Sequence, residues 1–387
     1  MDRITKNNLV SDYKKIFLQK FKSTPTIISS APGRVNIIGE HTDYNLGLAM
    51  PMAIDKWIIS MISERSDKKI NVFSINYDKN IEFDFSELDN SNYLWEKYIK
   101  SAIKLISKNL TLKKGFNLLI GGNIPIGFGM SSSAALEVSI LYLILSHFGY
   151  EISKYDVLKK CNELENDFMG IKSGMLDQYA SIFSLKNKIM VIDFKNLTHS
   201  YYSHKINSAS WVLINSKVQR NLVESKYNLR VKECTDALSI INHNSTNKYN
   251  FRTFEKKHLD LIDDMTLKKR LTHIIEENLR VKKMVKIIEN GQYEKIGKLL
   301  LESHFSLSSN YDISCKEIES IISISKKHKG FFGGRIMGGG FGGCTINLIK
   351  NENKKDFLNF VSDEFYKIYK YELDSEEVIF SNGASVI

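Results

Sequence analysis

The sequence is poor in the features that would mark anything other than an ordinary globular protein. Four cysteines in 387 residues, Cys161, Cys234, Cys315 and Cys344, stand far apart with no CxxC pair. That spacing excludes a disulfide scaffold and a zinc module, so the thiols are read as reduced. No apolar run is long enough to cross a bilayer, and the N-terminal MDRITKNNLVSDYKK lacks the apolar core of an export signal. Both absences point to a cytoplasmic protein with no membrane partner. The formal net charge of +10 comes without a basic block, a zinc-finger string or an RNP-like string, which argues against a nucleic-acid partner. There are four prolines, all in the first third, and Pro32, Pro51 and Pro125 are read as punctuation of glycine-containing loops. No internal repeat or low-complexity segment is visible.

What remains is a chain with 43% hydrophobic and 25% charged residues, long enough for two domains with a core each. Strands are expected at 57–62, 70–75 and 81–85. Trp95, Tyr98, Ile99, Ala102, Ile103 and Ile106 recur at helical spacing. The strand 116–120 runs into the loop GGNIPIGFGM, and SSSAALEVSILYLILSHF reads as a helix that is apolar almost all round and therefore internal. Further strands are expected at 188–194 and 211–214, then helices from about 222 to 305. Strands at Arg335–Met337 and Cys344–Ile349 flank a glycine cluster, and a helix follows near 353–370. This order suits an α+β protein. The polar, aperiodic THSYYSHKINSAS places a domain boundary near 205, dividing the chain into 1–205 and 206–387.

Four stretches carry chemistry. In GGNIPIGFGMSSSAALEV, a glycine loop and three serines precede a buried helix. Unpaired helix N–H groups, close backbone approach and hydroxyls together make an anion site. It is neither a Walker A loop nor GxGxxG, and taken alone it fits equally a core helix capped by Ser131 or Ser132. In SAPGRVNIIGEHTDYNLGLAMP, Arg34, Glu40, His41 and Asp43 crowd around turns as a reader of several hydroxyls would. The bland alternative is a turn aspartate, a surface ion pair and a satisfied histidine. In GIKSGMLDQYAS, Asp177 follows a glycine turn and is placed either to accept a proton or to cap a helix. In GGRIMGGGFGGCTINLI, the glycine density implies close backbone approach, to a phosphate or to the nucleotide loop opposite.

Together these residues resemble the GHMP kinases, and among them the galactokinase family. GRVNIIGEHTDYNLG is similar to the galactokinase signature, PIGFGMSSSAAL to the superfamily's phosphate loop, and GGRIMGGGFGGC to its third motif. NSKVQRNLVESKYNLRVKEC and ESHFSLSSNYDISCKEIE extend the likeness over nearly the whole chain from about residue 25. The resemblance implies a domain like the second domain of ribosomal protein S5 joined to a ferredoxin-like domain, with the site in the cleft between them. It implies phosphorylation of the anomeric hydroxyl of galactose by ATP with Mg2+, the entry step of galactose catabolism, by a monomer.

Residue by residue, it implies Asp177 as catalytic base and Arg34 as the cation that orients it. Glu40, His41, Thr42, Asp43 and Tyr227, with the backbone of Gly174, would bind the sugar. The stretch Gly127, Phe128, Gly129, Met130, Ser131, Ser132 and Ser133 would cradle ATP, joined by Ser74, while Ser133 and Glu165 would hold magnesium. Met130, Met337, Arg220 and Lys97 depart from the family pattern outside the implied base and sugar set. Two rivals are a catalytically silent galactose sensor, which the intact SSSAA argues against, and a kinase for another pyranose such as N-acetylgalactosamine.

Overall fold

The computed structural model describes residues 5–108, 112, 114–151, 153–170, 174–218 and 223–387. It begins with helix α1 (Lys6–Phe21), capped by Thr5, then strands β1 (Ile27–Asn36), β2 (Leu48–Ala49), β3 (Pro51–Glu64), β4 (Ile70–Ser74) and β5 (Lys79–Phe83). Helix α2 (Leu94–Ser107), strand β6 (Phe116–Gly122) and helices α3 (Ser132–His147), α4 (Lys154–Glu163) and α5 (Leu176–Phe183) follow, then the hairpin β7 (Ile189–Asp193) and β8 (Thr198–Tyr202).

The remainder runs β9 (Ala209–Asn215), α6 (Val223–His243), α7 (Met265–Glu289), α8 (Tyr293–Ser309) and α9 (Lys316–Ser325). After these come β10 (Phe331–Met337), β11 (Cys344–Lys350), α10 (Lys354–Tyr369), β12 (Asp374–Val378) and β13 (Ser385–Val386). The fold is α+β.

A six-stranded sheet, ordered β13-β1-β3-β6-β4-β5, carries α3 across β1 and β3. Helix α3 is buried almost all round, with Val138, Leu141, Leu143 and Ile144 at 0–1% exposure, as a helix without a polar face must be. The periodic face of α2 packs on it. A four-stranded antiparallel sheet, ordered β10-β11-β9-β12, is covered by α9 and α10 through Ile321, Ile324, Phe357, Val361 and Phe365. No helix among the described residues is long and apolar enough to cross a membrane.

Three local readings change. Pro32 and Pro51 lie in paired strands rather than loops: Pro32 sits beside a register shift in β1, and Pro51 opens β3, the two positions where a missing N–H is tolerated. The first five residues of the aperiodic THSYYSHKINSAS form β8, whose order comes from pairing with β7. The chain's last strand, β13, pairs back onto β1 through Ser29 and Val386, so residues beyond 205 complete the first sheet.

Candidate active site

Strand β1 delivers Arg34 to the serine loop. The Arg34 amide donates to the Met130 carbonyl at 3.0 Å, and a Cβ on the neighbouring Gly33 would lie 2.6 Å from that same oxygen, so only glycine fits the approach. The guanidinium then forks onto Asp177, Nε to Oδ1 and Nη2 to Oδ2 both at 2.7 Å, while Nη1 donates to the Gly129 carbonyl at 2.5 Å. The Ser131 hydroxyl also donates to Asp177 Oδ2. Neither capping alternative holds. Ser131 stands at the cap position of α3 in a left-handed conformation without a side-chain cap bond, and Asp177 is the second residue of α5, whose start has none either.

Arg34 and Asp177, with Gly338 and Gly339, form a wall shared by two cavities. The larger, of about 630 Å³, is lined by Gly127, Gly129, Met130, Ser131, Ser132, Ser133 and Lys217. With the N-terminus of α3 opening onto it, and Lys217, whose Nζ also pairs with Asp374 at 3.0 Å, on its rim, it suits anions. The smaller, of about 150 Å³, is lined by Glu40, His41, Asp43, Glu165, Gly174 and Tyr227. Ser74 lies apart from both, in an apolar cleft with Tyr77, Trp95 and Tyr98 that meets the larger cavity at Ser132 and Ser133.

Glu40 and the backbone that carries it are held from behind by residues that sequence reasoning missed. Arg335, fully buried, donates from Nη1 to Glu40 Oε2 at 2.7 Å. Glu277, also fully buried, accepts from the backbone amides of Gly39 (2.9 Å) and Glu40 (3.3 Å). Burial would raise its carboxyl, but the guanidinium groups of Arg280 and Arg335 oppose that, and it is held at about 2. His273, pushed down to about 4 chiefly by burial, stays neutral and bridges the Glu40 carbonyl and the Ser306 hydroxyl. These partners lie more than 200 positions away in the chain, and no local pattern announces them.

Within the smaller cavity, burial first and then the charges of Asp177 and Glu40 push Asp43 up to about 7, against the opposing Tyr44 amide. Burial lowers His41 to about 3. Gly174 has no room for a side chain, because a Cβ there would fall on the Asp43 carboxylate.

Besides Ser74, two predicted residues do not line either cavity. Thr42 is fully buried, its hydroxyl 2.9 Å and 2.8 Å from the Gly39 and Leu48 carbonyls, where it shapes the loop. Phe128 turns into the core. The glycine cluster divides: Gly338 and Gly339 face the cavities, whereas Gly333 packs against the backbone of Gly297 in α8, and Gly340 and Gly342 against Ile313 and Val218. Much of the expected close approach is thus to protein. Met337 is buried, Lys97 is exposed on α2, and Arg220 lies outside the described residues.

The matching family models are the GHMP kinases N terminal domain over residues 97–184, the GHMP kinases C terminal over 284–367, and the galactokinase galactose-binding signature over 15–64. A mevalonate kinase from Methanococcus jannaschii shares the fold at TM-score 0.67 and 21% identity, covering 92% of this chain and 98% of that one. Fold and paired cavities together define a GHMP kinase.

The nearer likenesses narrow the class. A galactokinase of Thermosipho africanus is 39% identical over 87% of this chain and 93% of its own length, and one of Clostridium perfringens 34% identical over 96% and 97%. The crystal structure of Lactococcus lactis galactokinase complexed with galactose superposes at TM-score 0.90 and 32% identity, covering 97% and 99%. The chain belongs to the galactokinase family.

Proposed function

We propose that this chain transfers the γ-phosphoryl group of MgATP to the anomeric hydroxyl of galactose, giving galactose 1-phosphate and ADP. One observation carries the reading: Arg34 and Asp177 form the partition between an anion cavity and a small cavity lined by carboxylates, an imidazole and a phenol. A group transferred between two ligands must cross such a partition.

In this reading Glu40, His41, Asp43 and Tyr227, with the backbone of Gly174, hold the sugar. Each of its hydroxyls left unpaired would cost affinity, which gives selectivity. The loop from Gly127 to Ser133, the α3 N-terminus and Lys217 hold the phosphates, and the apolar cleft beside Ser74 takes the nucleobase. Residues 1–205, with β13 completing their sheet, and the rest of 206–387 act as the two domains flanking the cleft.

The residues also suit magnesium. Mg2+ usually takes one or two carboxylates together with substrate phosphates rather than an all-protein cage. Glu165 lies beside buried Glu137, whose carboxyl is raised well above its usual range by burial and by Glu165, a crowding that a cation would relieve. Ser133 and Glu165 would hold the ion, which when bound neutralises charge on the transferring phosphoryl group.

The reacting oxygen of the sugar forms its bond to phosphorus as the bond from phosphorus to the ADP oxygen breaks, and the proton passes to Asp177. A carboxylate is a weak base for an alcohol, so the proton moves late, when bonding to phosphorus has acidified the hydroxyl. Asp177 already accepts two bonds from Arg34 and one from Ser131. A carboxylate offers about four lone-pair sites, so one remains for the substrate proton. Arg34 fixes the carboxylate and spreads transition-state charge.

The protein would act as a monomer in the cytoplasm, a reducing compartment that suits its four free cysteines. The test is a panel of galactose, galactosamine, N-acetylgalactosamine and glucose with MgATP, with the product's phosphate located by NMR. Galactose-dependent ADP release with phosphate on the anomeric carbon is expected; release without sugar dependence, or phosphate at another carbon, would overturn the reading.

A further inference from the structure

Ser131 occupies the position just before α3 where a serine ordinarily turns its hydroxyl back onto the first helical amides. It does not do so here. Its backbone is left-handed, at φ 54° and ψ 59°, and its side chain makes no cap bond. Residues with a Cβ seldom use that region, and one that stays there while giving up its ordinary bond is held by a partner elsewhere. The partner is Asp177, whose Oδ2 accepts the Ser131 hydroxyl.

The contacts around this bond close into a ring. The Arg34 amide donates to the Met130 carbonyl at 3.0 Å, the next residue is Ser131, its hydroxyl reaches Asp177, and Asp177 returns to the Arg34 guanidinium through two bonds of 2.7 Å. Arg34 Nη1 adds a bond to the Gly129 carbonyl at 2.5 Å. The serine loop and the carboxylate are therefore fastened to each other directly and also through Arg34.

The direction of the Ser131 bond is fixed by its partners. A carboxylate forked onto a guanidinium only accepts, so the hydroxyl donates, and its single proton is committed. Phosphate binding is then left to Ser132, Ser133 and the backbone amides of the loop, which line the same cavity. The bond also makes the two carboxylate oxygens unequal. Oδ2 accepts from Arg34 Nη2 and from Ser131, whereas Oδ1 accepts from Arg34 Nε alone. With about two lone-pair sites on each oxygen, the open one is on Oδ1.

We propose that Ser131 is a positioning residue for the base rather than a phosphate ligand: its hydroxyl fills Oδ2 of Asp177 and leaves Oδ1 as the oxygen that takes the substrate proton. The assignment rests on the proposed transfer reaction, whereas the Ser131–Asp177 bond belongs to the ligand-free protein.

The experiment is steady-state kinetics of Ser131→Gly, with Asp177→Ala and the double variant alongside. Glycine takes the left-handed backbone without cost and deletes only the hydroxyl. The kcat of Ser131→Gly is expected to fall about tenfold, as for one lost hydrogen bond to a charged group, with the KM of ATP and of galactose within about twofold of wild type. Ser131→Asn, which tolerates the same backbone and keeps a donor, should recover part of the loss. On the Asp177→Ala background the glycine substitution should cost the residual turnover less than about twofold, because the group it acts through is gone. A crystal structure with galactose should place the reacting hydroxyl against Oδ1.

A tenfold rise in the KM of ATP with kcat unchanged, the full kcat loss persisting on the Asp177→Ala background, or the sugar hydroxyl against Oδ2 would overturn the proposal. Urea unfolding of the same four proteins separates it from the proposed function. The two substitutions should be coupled about tenfold in the unfolding constant. Coupling without galactose phosphorylation would count against the proposed function and leave the Ser131–Asp177 clasp standing, whereas no coupling would remove the clasp whatever the substrate.

Discussion

Arg335 Nη1 lies 2.7 Å from Glu40 Oε2, across 295 positions of chain. The same guanidinium donates from Nε to the Ile37 carbonyl at 2.8 Å and from Nη2 to the Asn36 carbonyl at 2.5 Å. One fully buried side chain from β10 therefore fixes both the backbone of the loop that carries Glu40 and one of its carboxylate oxygens, leaving the other for a ligand.

Arg335→Met should damage stability and sugar recognition together. Leaving Glu40 without its buried counter-charge is expected to cost about 3–5 kcal/mol, read from urea unfolding. Arg335→Lys keeps the charge but cannot span three acceptors with a planar fork, so it should lose less stability and still raise the galactose KM. An unchanged galactose KM in a folded Arg335→Lys protein would show that the pairing does not position Glu40.

Gly174→Ala places a methyl group on the Asp43 carboxylate. Asp43 must move, so the galactose KM is expected to rise by about tenfold, the equivalent of losing one well-placed polar contact. The ATP KM should hold, because Gly174 lines only the smaller cavity of the two that meet at Asp177. Steady-state kinetics with each substrate varied in turn checks both halves of this expectation.

Asp43 should make the sugar-free protein less stable as pH rises. Its carboxyl titrates near 7 in the folded chain against a reference of 3.8, so between those values the native state holds a proton that the unfolded state has lost, and stability falls with pH. Asp43→Asn removes the effect. The variant's melting temperature should match wild type near pH 4, exceed it increasingly up to pH 7, and stay higher above that. A pH-independent difference would mean that Asp43 carries no raised pKa.

The elements and residues legible in the sequence were those whose signal is local. The i, i+3, i+4 face of α2 and the all-round apolar α3 follow from spacing alone, and Glu40, His41, Asp43, Gly174 and Asp177 all come from short strings that reach the cavities. Strand β1 was hidden because Pro32 and Gly33 read as a loop, and β13 because two residues have no periodicity until β1 supplies their partner. Helix α1 does carry a local signal, in the spacing of the buried Leu9, Val10, Tyr13 and Phe17. Glu277, His273 and Arg335 could not be found locally: they look like surface charges on helices or strands until tertiary packing buries them against the sugar loop.

The central claim is that Asp177, braced by Arg34, takes the proton of the hydroxyl that attacks phosphorus. It is tested most directly by the turnover of purified Asp177→Asn with galactose and MgATP, alongside its melting temperature and its binding of both ligands. Turnover should fall at least about 100-fold, the scale of general base catalysis, with fold and binding retained. Turnover close to wild type would contradict the account.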